Sequence, residues 1–246
     1  MSAVTASAAA APSARDTLFD AAIVDLDGTM VDTLGDFVVA LQRMLDGLPP
    51  PFCRHTVARD QVERLVGKGS ENLVKSLLAL VNPEGCAMEN VAIFERALAA
   101  YQQHYATING QHAQTYPGVV QGLRQLQARG LRLACVTNKP TAFAQALLRE
   151  KALDGFFELT LGGDAVARKK PDPLPLQMAC AALGVAPART LMIGDSSNDA
   201  QAARAAGCPV LLVTYGYNHG EPIRQVDADA YADSLAHLPE ALWQRA

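Results

Sequence analysis

The chain has 246 residues, of which 50% are hydrophobic and 19% charged, and its mean hydropathy is +0.07. This balance is typical of a globular protein with a substantial apolar core. The formal net charge is −4 and no long basic run occurs, which argues against an electrostatic surface for nucleic acid. No apolar run approaches the ~20 residues needed to cross a bilayer, so no membrane partner is expected.

The chain begins with an Ala- and Ser-rich segment, residues 1–18, that has neither a basic region nor a sustained apolar region. The sequence therefore predicts a disordered tail here rather than a signal peptide. Five cysteines without Cys-x-x-Cys spacing are scattered along the rest of the chain: Cys53, Cys86, Cys135, Cys180 and Cys208. This odd, scattered set favours neither a zinc site nor a disulfide framework, and it predicts reduced thiols in a cytoplasmic protein.

Short, continuously apolar segments recur from residue 19 onward and predict buried strands. They are AAIVDL (21–26), LRLACVT (131–137), FFELTLGGD (156–164), TLMIGD (190–195) and PVLLVT (209–214). Helical patterns separate the later strands, and several of them end at glycines suited to terminate a helix, namely Gly130, Gly184 and Gly207. This alternation predicts an α/β fold, a doubly wound Rossmann-like parallel sheet.

Residues 34–110 interrupt the alternation of strands and helices. They contain no convincing strand, but four amphipathic stretches at roughly 34–47, 57–66, 71–81 and 88–108. The strand and helix pattern resumes after them. The sequence therefore predicts one α/β core, formed by residues 19–33 and 111–246, with a helical domain inserted after the first strand.

Acids, a hydroxyl, an amide and lysines follow the predicted strands, at the end of a parallel sheet where ligands bind. In chain order they are Asp25, Asp27, Gly28 and Thr29 after the first strand, Thr137, Asn138 and Lys139 after the second, Lys169 and Lys170 after the third, and Asp195 and Asp199 after the fourth. This inventory suits phosphoryl transfer, in which positioning and charge neutralisation supply most of the catalysis. Each motif alone is more typical of a turn, a helix cap or a solvated loop, but the ordered set would then require four coincidences.

The acids among these residues indicate a magnesium site. Alternate residues of a strand share a face, so Asp25 and Asp27 can enter one crevice, with Asp195 facing Asp25 from another strand. Two carboxylates ~4 Å apart repel by about 4 kcal/mol at an effective dielectric of about 20. A hard cation removes this cost, and oxygen ligands beside phosphate favour Mg²⁺. Lys170 would offset phosphate charge from the other side, and Gly28 would permit close backbone approach to an anion.

Four of these motifs together resemble a known family: DLDGTMVDT (25–33), VTNK (136–139), KKPDP (169–173) and GDSSND (194–199). In order and spacing they resemble the haloacid dehalogenase superfamily of phosphohydrolases over about residues 19–216, and the inserted helices resemble that family's helical cap of the first type. The tail LVTYGYNHGEP (212–222) and the motif spacings are most similar to bacterial phosphoglycolate phosphatases. The resemblance thus implies a phosphoric monoester hydrolase.

The resemblance also implies a role for each matching residue. Asp25 would be the nucleophile that forms an aspartyl-phosphate, and Asp27 the general acid and then the base that activates water. Mg²⁺ would be bound by the Asp25 carboxylate, the Asp27 carbonyl and the Asp195 carboxylate. The other matching residues would serve the phosphate: Thr137 and Asn138 at the phosphoryl oxygens, Gly28 and Thr29 at the substrate, Lys170 at the nucleophile and phosphate, and Asp199 beside Lys170 or a metal-bound water.

The helical insert contains a glycine-rich turn in the segment LVGKGSENLV (65–74). The turn Gly67–Lys68–Gly69, before a helix start at Ser70, could present backbone N–H groups and an ammonium to an anion. The resemblance implies a specificity loop at this place, which reaches the active site when the cap closes. The alternative is a plain turn between helices, with the lysine in solvent.

The substrate stays open among small phosphate esters, with 2-phosphoglycolate first and a phosphorylated amino sugar as the alternative. A phosphomutase would need a cap that holds a sugar bisphosphate while it turns over. Relatives that cleave C–P bonds lack the second acid of the first motif, which is present here as Asp27. A non-catalytic phosphate-binding module would have no reason to keep Asp25, Asp27, Lys170 and Asp195 together. We expect a cytoplasmic monomer or homodimer.

Overall fold

The computed structural model describes residues 18–83 and 87–243. Apart from residue 18, the predicted N-terminal tail lies outside the described residues, and so does Cys86. The strands are β1 Ala21–Val24, β2 Val31–Asp32, β3 Gln114–Thr115, β4 Arg132–Val136, β5 Leu159–Leu161, β6 Thr190–Gly194, β7 Val210–Val213 and β8 Ala230–Ala232. The helices are α1 Leu34–Asp46, α2 Arg59–Leu65, α3 Ser70–Val81, α4 Ala87–Ile108, α5 Val119–Ala128, α6 Thr141–Glu150, α7 Leu174–Leu183 and α8 Ser197–Ala206. Within the described ranges, no helix combines the length and apolar character needed to cross a membrane.

Six strands form one parallel sheet in the order β5-β4-β1-β6-β7-β8. The predicted doubly wound α/β fold is therefore confirmed, with the first strand near the centre of the sheet. The apolar segments of the sequence do not predict β8. This strand has only three residues at the sheet edge, and its sequence context, DADAYADS (227–234), alternates polar and apolar residues because an edge strand is only partly covered.

Both faces of the sheet are covered by helices, which explains the continuously apolar strands. Successive side chains of a strand point to opposite faces. Ala22 and Val24 of β1 consequently pack in a cluster with α5 and α6, whereas Ala21 and Ile23 pack in another with α7 and α8. All four side chains are fully buried. This double layer holds the carboxyl ends of β1, β4 and β6 at fixed positions.

Helices α1 to α4, which we call the cap, enclose a hydrophobic cluster of their own. Its buried members include Phe37, Leu77 and Tyr105. The chain crosses between the sheet and the cap twice, and β2 pairs antiparallel with β3 at this junction. The separate cluster supports the proposed division of the chain into a core and a cap at residues 34–110.

A buried carboxylate fastens the two crossings together. Asp36, in the first turn of α1, accepts hydrogen bonds from the backbone N–H groups of Gly110 at 2.6 Å and His112 at 2.7 Å. A Cβ at Gly35 would lie 2.4 Å from the His112 carbonyl oxygen, so the close contact of α1 with the returning chain needs glycine there. The two chain crossings between cap and core are thus held in a tightly packed junction.

Candidate active site

Three elements of the core bring the predicted acids and the predicted lysine into one buried place. Asp25 directly follows β1, Asp195 directly follows β6, and Lys170 lies between β5 and α7. All three side chains are buried. Because β1 lies between β4 and β6, the carboxyl ends of these strands converge on one crevice of the sheet.

Lys170 is the centre of the hydrogen-bond network in this crevice. Its Nζ lies 2.9 Å from Asp25 Oδ1, and it donates to Asp199 Oδ1 at 2.7 Å and to the Val136 carbonyl at 2.9 Å. Burial opposes the charge of the ammonium, but Asp199 and Asp25 together outweigh burial and raise the pKa of Lys170. The other Asp199 oxygen accepts from the N–H and the hydroxyl of Ser196. These contacts hold Asp199 where it positions Lys170, in agreement with the role expected for Asp199.

Asp195 is held by two further segments of the chain. Its Oδ1 accepts a hydrogen bond from Thr29 Oγ1 at 2.8 Å, and its Oδ2 accepts one from the Tyr217 N–H at 2.7 Å. Gly28 has φ of +85°, and a Cβ there would lie 2.1 Å from Asp195 Oδ2, so only glycine permits this approach. Thr29 is fully buried. Gly28 and Thr29, expected at the substrate, instead pack against and orient the Asp195 carboxylate.

The buried acids fit a divalent cation. One oxygen from each of three acids lies within 4.8 Å of the others: Asp25, Asp195 and Asp199. The cavity lining contains these three and Asp27 against two lysines, so its formal charge is −4 + 2 = −2. Burial first, and nearby carboxylates in addition, raise the pKa of Asp25 to about 7 and hold that of Asp195 well above its usual range. A bound divalent cation would neutralise this excess charge, and carboxylate oxygens are donors suited to a hard cation.

Without metal, the stability of the protein should fall as the pH rises from about 4 to about 7. A carboxyl whose pKa is raised in the folded state keeps a proton that the unfolded chain has already released. Its contribution to the free energy of unfolding is therefore complete below the unfolded pKa and is lost as the pH reaches the folded pKa. The pKa values of Asp25 and Asp195 are both raised, so both residues contribute in this direction. Urea unfolding in EDTA at several pH values measures the slope. The slope should be shallower in Asp25→Asn, and an equal or steeper slope in that variant would contradict the assignment.

The loop between α2 and α3 brings the cap onto this site. The Gly67 carbonyl accepts a hydrogen bond from Asn138 Nδ2 at 2.9 Å and a longer one from Asn198 Nδ2 at 3.3 Å. Gly67 and Gly69 have φ of +106° and +86°, a region in which other residues are strained. Both glycines line the cavity, whereas Lys68 between them is exposed to solvent. The loop therefore contacts the site through its backbone, and the expected contribution of the Lys68 ammonium is not part of this arrangement.

Asn138 lines the cavity and also connects two loops of the site. Its Nδ2 also donates to the Lys170 carbonyl at 2.8 Å, and its Oδ1 accepts from the Lys170 N–H at 3.0 Å. The side chain thus joins the Lys170 loop to the cap loop. Thr137 is buried and lines the cavity, as expected of a phosphoryl-binding residue. Its Oγ1 accepts from the Lys139 N–H at 3.2 Å, and a hydroxyl that accepts can still donate its own hydrogen.

Lys139 is a buried cation to which the motif analysis assigns no role. Its Nζ donates to Asp27 Oδ1 at 2.7 Å, and Thr33 Oγ1 donates to the same oxygen at 2.8 Å. The Lys139 side chain is only 3% exposed. Its place directly after Thr-Asn at a strand end is a sequence signal, but a lysine in a strand-end loop is usually solvated. Its burial cannot be foreseen because the residues that cover it belong to the cap.

A cavity lies between the core and the cap, directly over the acids and lysines. Its volume is about 40 Å³. On the same measure, one water molecule needs roughly 10–15 Å³. Its lining from the core is charged, and its lining from the cap is largely apolar and aromatic, including Phe37, Leu73, Tyr101 and Tyr105. The space suits a small anionic ligand with a short organic group.

Comparisons with known proteins agree with this architecture. A model of the haloacid dehalogenase-like hydrolase family matches residues 19–207. A phosphoglycolate phosphatase of Thiobacillus denitrificans is 44% identical over 216 residues, covering 88% of this chain and 92% of the relative. A plasmid-encoded phosphoglycolate phosphatase of Cupriavidus necator is 43% identical over 224 residues, covering 90% of this chain and 92% of the relative.

A solved structure matches this fold over nearly the whole chain. The crystal structure of a protein from Haemophilus somnus, described as a predicted phosphoglycolate phosphatase, matches with a TM-score of 0.80 and 32% identity. The match covers 89% of this chain and 96% of that one. The fold, the four ordered motifs and the length of these matches lead to one assignment. The chain belongs to the haloacid dehalogenase-like hydrolase family.

Proposed function

We propose that this chain is a Mg²⁺-dependent phosphatase that hydrolyses 2-phosphoglycolate to glycolate and phosphate. The observation that carries the proposal is the buried cluster in which Lys170 Nζ lies 2.9 Å from Asp25 and 2.7 Å from Asp199, beside Asp195. This cluster combines a nucleophile, its counter-charge and a further metal ligand. Similarity to relatives named phosphoglycolate phosphatase over nearly the whole chain supports the choice of substrate.

The proposed reaction proceeds through two displacements at phosphorus. In the first, an Asp25 carboxylate oxygen attacks phosphorus, the ester P–O bond breaks, and Asp27 transfers its proton to the departing glycolate oxygen. In the second, Asp27 accepts a proton from water, and the water oxygen attacks the aspartyl-phosphate to release phosphate and free Asp25. Lys170, positioned by Asp199, stabilises negative charge on the nucleophile and the phosphoryl oxygens throughout.

The metal would be held where the carboxylates gather, by the Asp25 and Asp195 side chains and the Asp27 carbonyl. When bound, Mg²⁺ would neutralise carboxylate and phosphoryl charge so that the two anions can approach. The chain itself prepares this site, because Thr29 and the Tyr217 N–H fix both oxygens of Asp195. Asp199 is less suited as a ligand because one of its oxygens pairs with the Lys170 ammonium, whereas both hydrogen-bond partners of Asp195 are neutral donors.

The cap contributes closure and selection by size. The cap loop reaches the core through the Gly67 carbonyl, and Tyr101 and Tyr105 lie over the cavity. Excluding water in this way protects the phosphoryl group until hydrolysis is set up. The small volume of the cavity supports a two-carbon substrate ahead of a phosphorylated sugar.

Phosphate release from a panel of esters tests the proposed function. With Mg²⁺, kcat/KM should be highest for 2-phosphoglycolate and at least about ten-fold lower for glucosamine 6-phosphate and a nucleoside monophosphate. EDTA should reduce turnover to background, and excess Mg²⁺ should restore it. Higher kcat/KM for the sugar phosphate would reassign the substrate, and full activity in EDTA would refute the metal.

We also propose a cytoplasmic location. The four cysteines in the described part of the chain are free thiols, namely Cys53, Cys135, Cys180 and Cys208. Cys180 and Cys208 approach to 4.0 Å between their sulfur atoms without a disulfide. Scattered cysteines that form no disulfide framework are typical of proteins in a reducing compartment.

A further inference from the structure

Lys139 is a cation enclosed at the boundary of core and cap. Its Nζ donates to Asp27 Oδ1 at 2.7 Å, and it lies 4.7 Å from the ring centre of Phe37 and 4.8 Å from that of Tyr105. Both aromatic residues belong to the cap. The ammonium also lines the cavity beside the nucleophile Asp25.

The hydrogen-bonding capacity of this ammonium is not exhausted. A lysine ammonium has three donors, and among the described residues Asp27 Oδ1 is the one acceptor that Lys139 Nζ contacts. The Tyr105 hydroxyl is likewise buried without a hydrogen-bond partner in the described part of the chain. Buried polar groups are normally satisfied, so two such groups lining one cavity indicate that a polar ligand completes them.

We propose that Lys139 and Tyr105 form the subsite that binds the substrate's carboxylate, and that Lys139 is the main determinant of preference for a carboxylate-bearing phosphate ester. This proposal rests on the proposed function. The rings of Phe37 and Tyr105 exclude water around the ammonium, which strengthens its attraction for an anion. An uncharged substituent would leave the remaining donors of the ammonium and the Tyr105 hydroxyl without a hydrogen-bond acceptor.

The position of Lys139 beside Asp27 matches the length of a two-carbon substrate. Asp27 is the residue that protonates the departing ester oxygen in the proposed mechanism. In 2-phosphoglycolate a single methylene separates that oxygen from the carboxyl carbon, so the carboxylate oxygens lie within roughly 3–4 Å of it. Because Asp27 must contact the ester oxygen, a cation that binds this nearby carboxylate must lie next to Asp27. Lys139 Nζ lies there, 2.7 Å from Asp27 Oδ1.

The test compares 2-phosphoglycolate with ethyl phosphate, which has the same carbon count but a methyl group in place of the carboxylate. In Lys139→Met, the ratio of kcat/KM for phosphoglycolate to that for ethyl phosphate should fall by about 10- to 100-fold. Ethyl phosphate turnover should fall less, because it depends on Lys139 only through Asp27. In Tyr105→Phe, the same ratio should fall by about 2- to 10-fold, through KM more than kcat.

Lys75→Met is the matched control, since this lysine is exposed on α3, and it should leave the ratio unchanged. An equal fold-loss for both esters in Lys139→Met would reduce Lys139 to a residue that orients Asp27, and unaltered kcat/KM values for both esters would remove it from the site; either overturns the proposal. Circular dichroism checks folding, and if Lys139→Met does not fold, the Tyr105→Phe ratio decides by the same criterion. Failure of the unaltered enzyme to hydrolyse phosphoglycolate would instead refute the proposed function.

Discussion

Replacing Asp25 by Asn is expected to lower phosphoglycolate turnover by at least about 10⁴-fold while the protein stays folded. The amide has no anionic oxygen to attack phosphorus, so no aspartyl-phosphate can form. Folding should survive because burial already raises the pKa of Asp25 to about 7, which means that the site tolerates a neutral group of this size. Lys170 keeps its 2.7 Å hydrogen bond to Asp199. Phosphate release and circular dichroism measure the two effects.

The matched control is Asp46→Asn, an acid exposed at the end of α1. It should have normal turnover and normal stability. Mass spectrometry of Asp25→Asn should accompany the assay, because deamidation would regenerate the aspartate. If protein with the intact amide at position 25 turned over substrate at a rate close to that of the unaltered enzyme, Asp25 would not be the nucleophile.

Replacing Lys170 by Met should remove both activity and much of the stability. Removing one partner from a buried ionic cluster leaves uncompensated charge and costs about 3–5 kcal/mol. For a chain of this size, that corresponds to a melting temperature lower by ~6–20 °C. The carboxylates left behind are Asp25 and Asp199, whose oxygens lie 2.9 Å and 2.7 Å from Lys170 Nζ. Turnover should fall by about 10³-fold or more, because no ammonium then stabilises the phosphoryl charge.

The neighbouring residue supplies the control for this prediction. Lys169→Met removes the same charge one position away, from a side chain that is partly exposed, and its effect on stability should stay within about 0.5 kcal/mol. Thermal unfolding at two pH values adds a further check. The deficit of Lys170→Met should shrink at acid pH, where the stranded Asp25 carboxylate, whose pKa burial already raises, is protonated. Equal losses in the two variants, or a deficit that is independent of pH, would contradict the assigned pairing.

Much of the fold could be predicted from the sequence because local patterns determine it. The apolar segments around Ala21–Val24 and Thr190–Gly194 lack charged residues since both sheet faces are covered, and that absence is visible in the sequence. The strand Ala230–Ala232 is not visible in the sequence in this way, because an edge strand is stabilised by its neighbour more than by its own apolar content.

In the candidate site, too, some features can be predicted from the sequence and others cannot. Acids at strand ends, such as Asp25 and Asp195, are foreseeable because a parallel sheet places all its carboxyl ends at one edge. Side-chain partners are not foreseeable. Asn138 hydrogen-bonds to the Lys170 backbone and the Gly67 carbonyl, both far from it in sequence.

The sequence by itself determined the sheet, the helical insert and the order in which acids and lysines follow the strands, because these depend on residue periodicity and on strand direction. Only the tertiary structure decided which groups are buried together. Thr29 becomes a partner of Asp195, and Lys68 faces solvent. Lys139 becomes an enclosed cation because the Phe37 and Tyr105 rings of the cap cover it. Burial and pairing of this kind depend on how separate elements pack, and that information is distributed over residues distant in the chain.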